Sequence, residues 1–390
     1  MCAAQGNKDG GHGDRRPGLA GLPITPGIRS EKGALVIRHS TAELIGTPMP
    51  VPECHASTIA CTADGLVVAF FGGTREGHED VGIWLTRKEG GAWSCPCEVA
   101  RGTAGDGERF PCWNPVLFQV PGGPLLLFYK VGPNCADWWG MLMASSDGGR
   151  TWGQPRRLPD GIWGPVKNKP VQLSCGSLLC PTSGEATGWQ VFLQVTDDIG
   201  ATWQTIGPLN DAREIAAIQP TILLHACGRM QMLCRTRQGF IAESWSADGG
   251  RSWAAMRLTE LPNPNSGIDA VALRDGRVLL VYNHTGSIPG QWGGRRTPLN
   301  AAVSCDGLMW RAALVLEDGE GEYSYPAVIE APCGEIHVTY TWQRRNIKHV
   351  VIDPSQLEGI PMSHGRWPEE LTSGRNATRQ AAHEQQSSPQ

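Results

Sequence analysis

The sequence predicts an all-β fold, a six-bladed β-propeller, and three observations predict it. A loop motif of the form Ser/Thr-x-Asp-x-Gly-x-Thr/Ser-Trp recurs along the chain at blade-length intervals. Six strand-like apolar runs, followed by Asp-Gly or Gly-rich turns, fall between and around the copies. No long amphipathic helical pattern interrupts them.

The motif is clearest at Ser145–Trp152 (SSDGGRTW), Thr196–Trp203 (TDDIGATW) and Ser246–Trp253 (SADGGRSW). A shortened copy, Ser304–Trp310, lacks one residue, and a degenerate copy, Thr86–Trp93, has lost the Asp. The copies end at Trp93, Trp152, Trp203, Trp253 and Trp310, so their spacings are 59, 51, 50 and 57 residues. Asp and Ser side chains bond nearby backbone amides, Gly supplies a positive φ, and Trp packs between blades. These loops are therefore read as structural, with no catalysis expected from Asp147, Asp198, Asp248 or Asp306. The six runs are LVVAFFGG, PLLLFYKVG, GSLLCPTS, RMQMLCRT, RVLLVYN and EIHVTYTW, one per blade. Radial repetition leaves few exposed sheet edges. A strand at Ala34–Arg38 is expected to join the last blade and fasten the ring.

Composition sets the outer limits. The chain has 390 residues, 40% of them hydrophobic and 18% charged, which is ample for a core. Its 50 glycines and 29 prolines punctuate short apolar runs, as in a protein of many turns. A net charge of -4 carries no footprint for nucleic acid. Stretches such as Pro124–Tyr129 are too short to span a bilayer. Residues 1–30 and 357–390 read as largely disordered tails around a propeller at 31–356. The polar N-terminus has no apolar signal segment, so a cytoplasmic location is expected. The 13 cysteines form no Cys-x-x-Cys pair and read as free thiols. The histidines are dispersed, so neither a metal nor a cofactor is expected.

The repeat resembles the Asp-box, or BNR repeat, of the sialidase (neuraminidase) superfamily, over about residues 34–355. The resemblance implies a six-bladed propeller, three arginines that bind a substrate carboxylate, a tyrosine nucleophile activated by a glutamate, and an aspartate acid/base. Arg296 stands eight positions before Ser304, as the family's third arginine does, and Tyr323-Ser324 follows where the nucleophile belongs. Arg235 fits the second arginine at a strand end. Sixteen positions before it stands Gln219, where the family has Glu. His55 takes the place of the first arginine. The loop Thr74–Asp80 offers Glu76, Glu79 and Asp80 for the acid/base, with Asp80 nearest the family spacing.

Arginine presents a planar bidentate fork to a carboxylate, and histidine in its place removes a permanent charge. His55 is left as a protonated carboxylate ligand or an acid/base of another reaction. Gln219 cannot deprotonate Tyr323. Tyr323 and Tyr325 alternate on one strand, so either is a candidate. Basic and polar residues also recur where inner strands begin or end: Lys130, Lys167, Lys169, Arg235, Arg237, Arg344, Asn263, Asn265 and Asp269. Lys130, Lys167, Lys169, Arg235, Arg296 and Arg344 are expected to line an electropositive cup for an anionic or modified glycan. The expected activity is a sialidase-like glycoside hydrolase. The alternatives are a non-catalytic carbohydrate-binding propeller and a polysaccharide lyase using His55 and a tyrosine.

Overall fold

The computed structural model describes residues 41–103, 107–186, 188–369 and 371. Six antiparallel sheets follow one another along the chain. Blade 1 holds Glu53–Thr62, Gly65–Gly73, Gly82–Glu89 and Ala92–Trp93, with Cys97–Ala100 added on its third strand. Blade 2 holds Cys112–Gln119, Leu125–Val131, Trp139–Ser145 and Arg156–Arg157. Blade 3 holds Val171–Gln172, Leu178–Gly184, Gln190–Thr196 and Gln204–Ile206. Blade 4 holds Ala217–Leu224, Met230–Thr236, Phe240–Ser246 and Arg257–Pro262. Blade 5 holds Asp269–Ala272, Val278–Tyr282, Leu299–Ser304 and Trp310–Glu317. Blade 6 holds Tyr323–Glu330, Ile336–Trp342 and Asn346–Ile352.

Each of the six apolar runs is the second strand of its blade. Such a strand is covered on both faces, so it reads as a continuous apolar run rather than as an alternation. The core is correspondingly divided into layers between blades. Leu127 and Tyr129 of blade 2 pack with Val67 and Ala69 of blade 1, and Phe128 packs with Leu178 and Cys180 of blade 3. Further clusters join blades 3 and 4, 4 and 5, and 5 and 6. A sixth joins Ala327 and Ile347 of blade 6 to Val68 and Phe70 of blade 1. The layers run full circle, which is what closes a ring.

The N-terminal side of the chain completes blade 6. Thr41–Ile45 pairs antiparallel with the third strand, from Thr41 opposite Val351 to Ile45 opposite Ile347. The fastening strand thus lies at 41–45, whereas the expected span 34–38 falls outside the described residues. The chain also continues past 356 as structure. Ile360–Pro361 pairs with Arg311 and Ala312 on the edge of blade 5, where the sequence places a tail.

The repeated loops are hydrogen-bonded turns. In the second full copy, Asp198 accepts from the Ala201 and Thr202 amides at 2.9 and 2.8 Å and from the Thr202 hydroxyl at 2.8 Å. The Gly200 amide donates to Thr196 Oγ1 at 2.7 Å. Asp248 repeats this set with Arg251 and Ser252. The donors from Thr202 and Ser252 hold both carboxyls low, at about 2. The loops are structural, as their residue types dictate.

Candidate functional site

Four innermost strands carry the same defect. The register slips between His55 and Thr58, Trp113 and Val116, Ile218 and Thr221, and Ser324 and Ala327. Within the slips Ala56, Asn114, Gln219 and Tyr325 adopt φ of 52°, 38°, 54° and 54°. A residue with a side chain costs about 1 kcal/mol or more in that left-handed region, and such strain gathers at functional sites. Asn114, Gln219 and Tyr325 each precede a proline, which restricts the backbone further. The bulge also breaks the alternation on which the tyrosine pair was read.

Tyr325 and Tyr323 therefore part company. Tyr323 packs in the layer between blades 5 and 6, and its hydroxyl donates to the Glu320 carbonyl at 3.1 Å. The Tyr325 phenol oxygen instead accepts from Arg235 Nη1 at 2.9 Å and stands 3.4 Å from Gln219 Nε2. Over its ring lie the Arg235 and Arg296 guanidiniums, both at 5.5 Å, and Lys167 Nζ at 5.8 Å. The His55 ring approaches at 4.2 Å between centroids. The candidate residues His55, Gln219, Arg235 and Arg296 thus converge, and they do so on Tyr325 rather than Tyr323.

His55 is fully enclosed, and its Nδ1 meets the Thr341 hydroxyl at 2.9 Å. Burial, and then the charges of Arg344, Arg296, Arg235 and Lys167, push its pKa far down. It is neutral at physiological pH, so it does not replace the missing arginine as a cation. Asp80 is a loop clasp rather than a poised acid. Thr74 donates to it through its amide at 3.0 Å and its hydroxyl at 2.6 Å, and His78 Nδ1 lies 2.8 Å away. Burial would raise the Asp80 carboxyl, but these partners outweigh it and hold the group below the ordinary range. Glu76 pairs with Arg344.

The electropositive cup is largely neutralised from within. Lys130 is buried against the Pro165 carbonyl. Lys167 spends its three N–H bonds on Asn168 Oδ1 at 2.8 Å, Ile268 O at 2.8 Å and Pro326 O at 2.6 Å. Lys169 pairs with Asp269 at 2.9 Å, and Asp269 also accepts from Thr221 and from the Val328 amide. These three lysines and Asp269 tie blades together; the structure does not place them as free ligand groups. Asn263 Oδ1 caps the Ser266 amide, and Asn265 Nδ2 donates to Trp292 O.

Four site residues were not singled out in the sequence. Glu322 bridges Arg296 at 2.8 Å and Arg344 at 2.9 Å, and accepts from the Ser324 hydroxyl at 2.8 Å. Burial favours its protonation, yet the two arginines hold its carboxyl below the usual range. Its place one residue before Tyr323-Ser324 was the available signal. Trp189 and Trp292 meet edge to face, and the Arg237 guanidinium lies 4.5 and 5.0 Å from their ring centroids. Glu185 accepts from the Trp189 indole, and burial raises its carboxyl despite the nearby Arg235 and Arg237. Only the packed ring brings Glu185 to these arginines, so no local pattern marks it. Arg235 Nε, Gln219 Oε1 and Asn265 Oδ1 are buried atoms with no partner among the described residues. Orphaned buried polar atoms are costly, and at a site they are what a ligand satisfies.

Such a ring, four of its inner strands bulged and its arginines gathered round one tyrosine, is a six-bladed propeller of BNR repeats with a sialidase-like fold. The description "BNR repeat-like domain" matches residues 64–338, and the chain belongs to that family. No curated protein matches it. Among solved structures, a protein of unknown function from Dyadobacter fermentans has a TM-score of 0.65 at 17% identity, over 80% of this chain and 98% of that one. The NanB sialidase of Streptococcus pneumoniae has a TM-score of 0.64 at 13% identity, over 85% and 72%. The intramolecular trans-sialidase of Ruminococcus gnavus has 0.64 at 14%, over 82% and 99%. At these identities the likeness is one of fold.

Proposed function

We propose that the chain is a glycosidase that acts on a sugar carrying an anionic group, with Tyr325 as nucleophile. The observation that carries this reading is the Arg235 guanidinium donating to the Tyr325 phenol oxygen at 2.9 Å. An arginine can only donate, so the phenol uses a lone pair there and its own proton is directed elsewhere. A half-turn of the Gln219 amide would offer its unpartnered Oε1 to that proton. Arg235, with Arg237 beside it, is the natural seat for the substrate's anionic group, since Arg296 and Arg344 already share Glu322. Glu185 suits the role of proton donor, because its raised carboxyl keeps a proton to higher pH than Asp80 does.

A screen of fluorogenic glycosides and acidic oligosaccharides tests the reading. Tyr325→Phe should lower kcat/KM by at least about 10³-fold, while Tyr323→Phe should change it far less. Glu185→Gln should cost about 10²- to 10⁴-fold. Full turnover in Tyr325→Phe would sink the assignment. A second reading, a glycan-binding propeller without turnover, is favoured by Gln219, whose amide cannot take a proton from Tyr325 as a glutamate would. Glycan binding that survives in Tyr325→Phe, with no substrate turned over by the wild type, would establish it. The lyase reading has less support, because the depressed basicity of His55 makes it a weak base.

A further inference from the structure

Blade 6 carries a second constellation at the end of its strands remote from Tyr325. Its first hairpin pairs Tyr323 with Trp342 at the site end and Glu330 with Ile336 at the other. At about 3.3 Å per residue the two ends lie roughly 20 Å apart. The turn between the strands is closed by the Ala331 amide on Glu335 O at 2.8 Å and the Gly334 amide on Ala331 O at 2.9 Å. The turn and the start of the following strand bring Cys333, Glu335 and His337 together. Cys333 Sγ lies 3.6 Å from Glu335 Oε2, and His337 Nε2 lies 4.0 Å from the same oxygen. Their ligand atoms all fall within 4.8 Å of one another. The edges of a tetrahedral zinc site with such ligands are about 3.4–3.6 Å. Small rotations of the exposed Cys333 and Glu335 side chains towards the buried His337 close the difference.

His349 and Glu43 lie behind His337. Its Nδ1 meets His349 Nε2 at 3.1 Å, and His349 Nδ1 meets Glu43 Oε1 at 3.0 Å. Both rings are buried and nearly parallel, at 14°. Burial disfavours the charged form of both rings, and with both neutral the chain of bonds has one consistent proton order. The Glu43 carboxylate accepts, so His349 Nδ1 carries a proton and its Nε2 a lone pair. His337 Nδ1 must then donate, which leaves a lone pair on His337 Nε2, facing Cys333 and Glu335. A carboxylate that fixes the tautomer of a histidine through its far nitrogen is the usual outer support of a ligating imidazole.

We propose that Cys333, Glu335 and His337 form a binding site for a zinc ion, with His349 and Glu43 orienting the imidazole and water completing the coordination. One thiolate, one imidazole and one carboxylate suit Zn²⁺ better than Ca²⁺ or Mg²⁺, which take oxygen ligands. Binding displaces the Cys333 thiol proton to solvent and forms the Zn–S bond, with no change of oxidation state. Glu43 belongs to the strand that closes the ring, so the ion is linked to the closure seam through two histidines.

Metal-stripped full-length protein titrated with Zn²⁺ against a chromophoric chelator tests the site. One equivalent should bind per chain. Cys333→Ser and His337→Gln should each weaken that binding at least about tenfold, and His349→Gln by about 10- to 100-fold. Cys305→Ser, an exposed thiol on another blade, should leave it unchanged. Co²⁺ should give a thiolate charge-transfer band that disappears in Cys333→Ser. Cys333 is exposed, so its variant tests the site even if His337→Gln does not fold. No tight Zn²⁺ equivalent in the wild type, or an equivalent whose affinity is untouched by Cys333→Ser, overturns the proposal.

Discussion

Lys167 and Lys130 show how differently a buried ammonium can be accommodated. Burial pulls both down to about 7. Lys167, however, has one oxygen acceptor for each N–H, which holds its proton in place. Lys167→Met would strand three buried acceptors, and a loss of about 2–5 kcal/mol is expected in denaturant unfolding. Lys130 has the Pro165 carbonyl as its acceptor. Its ammonium is depressed from an ordinary 10.5 to about 7 in the fold, so the unfolded chain holds the proton more tightly between those values. The stability that goes with its deprotonation is present above pH 10.5 and lost as pH falls through about 7. The free energy of unfolding should therefore rise from pH 7 to 10, and Lys130→Met should reduce that slope by up to about 1.4 kcal/mol per pH unit. A slope unchanged in the variant would show that Lys130 is not its source.

The Asp-box turn is the element that could be read almost completely in advance. Asp, Gly and Ser or Thr at fixed offsets specify a bonded loop whatever surrounds it, and the loop at Asp198 uses each of them. The second strands were equally legible, because a strand covered by two neighbouring blades has no polar face to obscure it. The innermost strands were not. Their alternation is broken by bulges, and a bulge at Tyr325 depends on how Pro326 and the facing strand Ile336–Trp342 fit rather than on local composition. A one-residue slip puts Tyr323 and Tyr325 on opposite faces, which is why the family spacing pointed to Tyr323 whereas the arginines gather on Tyr325. The turns also make an acid-stability prediction. Carboxyls held at about 2 in the fold and near 3.8 when free contribute stability that is present above pH 3.8 and lost as pH falls through 2. The melting temperature should fall between pH 4 and 2, and Asp248→Asn should flatten part of that fall.

At the scale of the molecule, the blade count was legible from the six apolar runs between and around the repeat, but the charge of the axial region was not. Sequence position shows that Lys167, Lys169, Arg296 and Arg344 recur at similar places in successive blades. Only the folded ring shows that Asp269 reaches Lys169 from another blade and that Glu322 bridges Arg296 and Arg344. Ring closure rests on five residues, Thr41–Ile45, paired with the third strand of blade 6. A chain starting at Gly46 should melt at a lower temperature and with a broader calorimetric transition; an unchanged melt would mean that the inter-blade layer between Ala327 and Phe70 suffices for closure.

The Lys167 strut has one more consequence. It runs from blade 3 to carbonyls of blades 5 and 6, while Asn168 binds the Gln219 and Pro220 carbonyls of blade 4. These ties obstruct the middle of the ring like spokes meeting at a hub, so the propeller is a socket and not a pipe. A polymer cannot be threaded through it. Whatever reaches Tyr325 must enter and leave on one side of these ties.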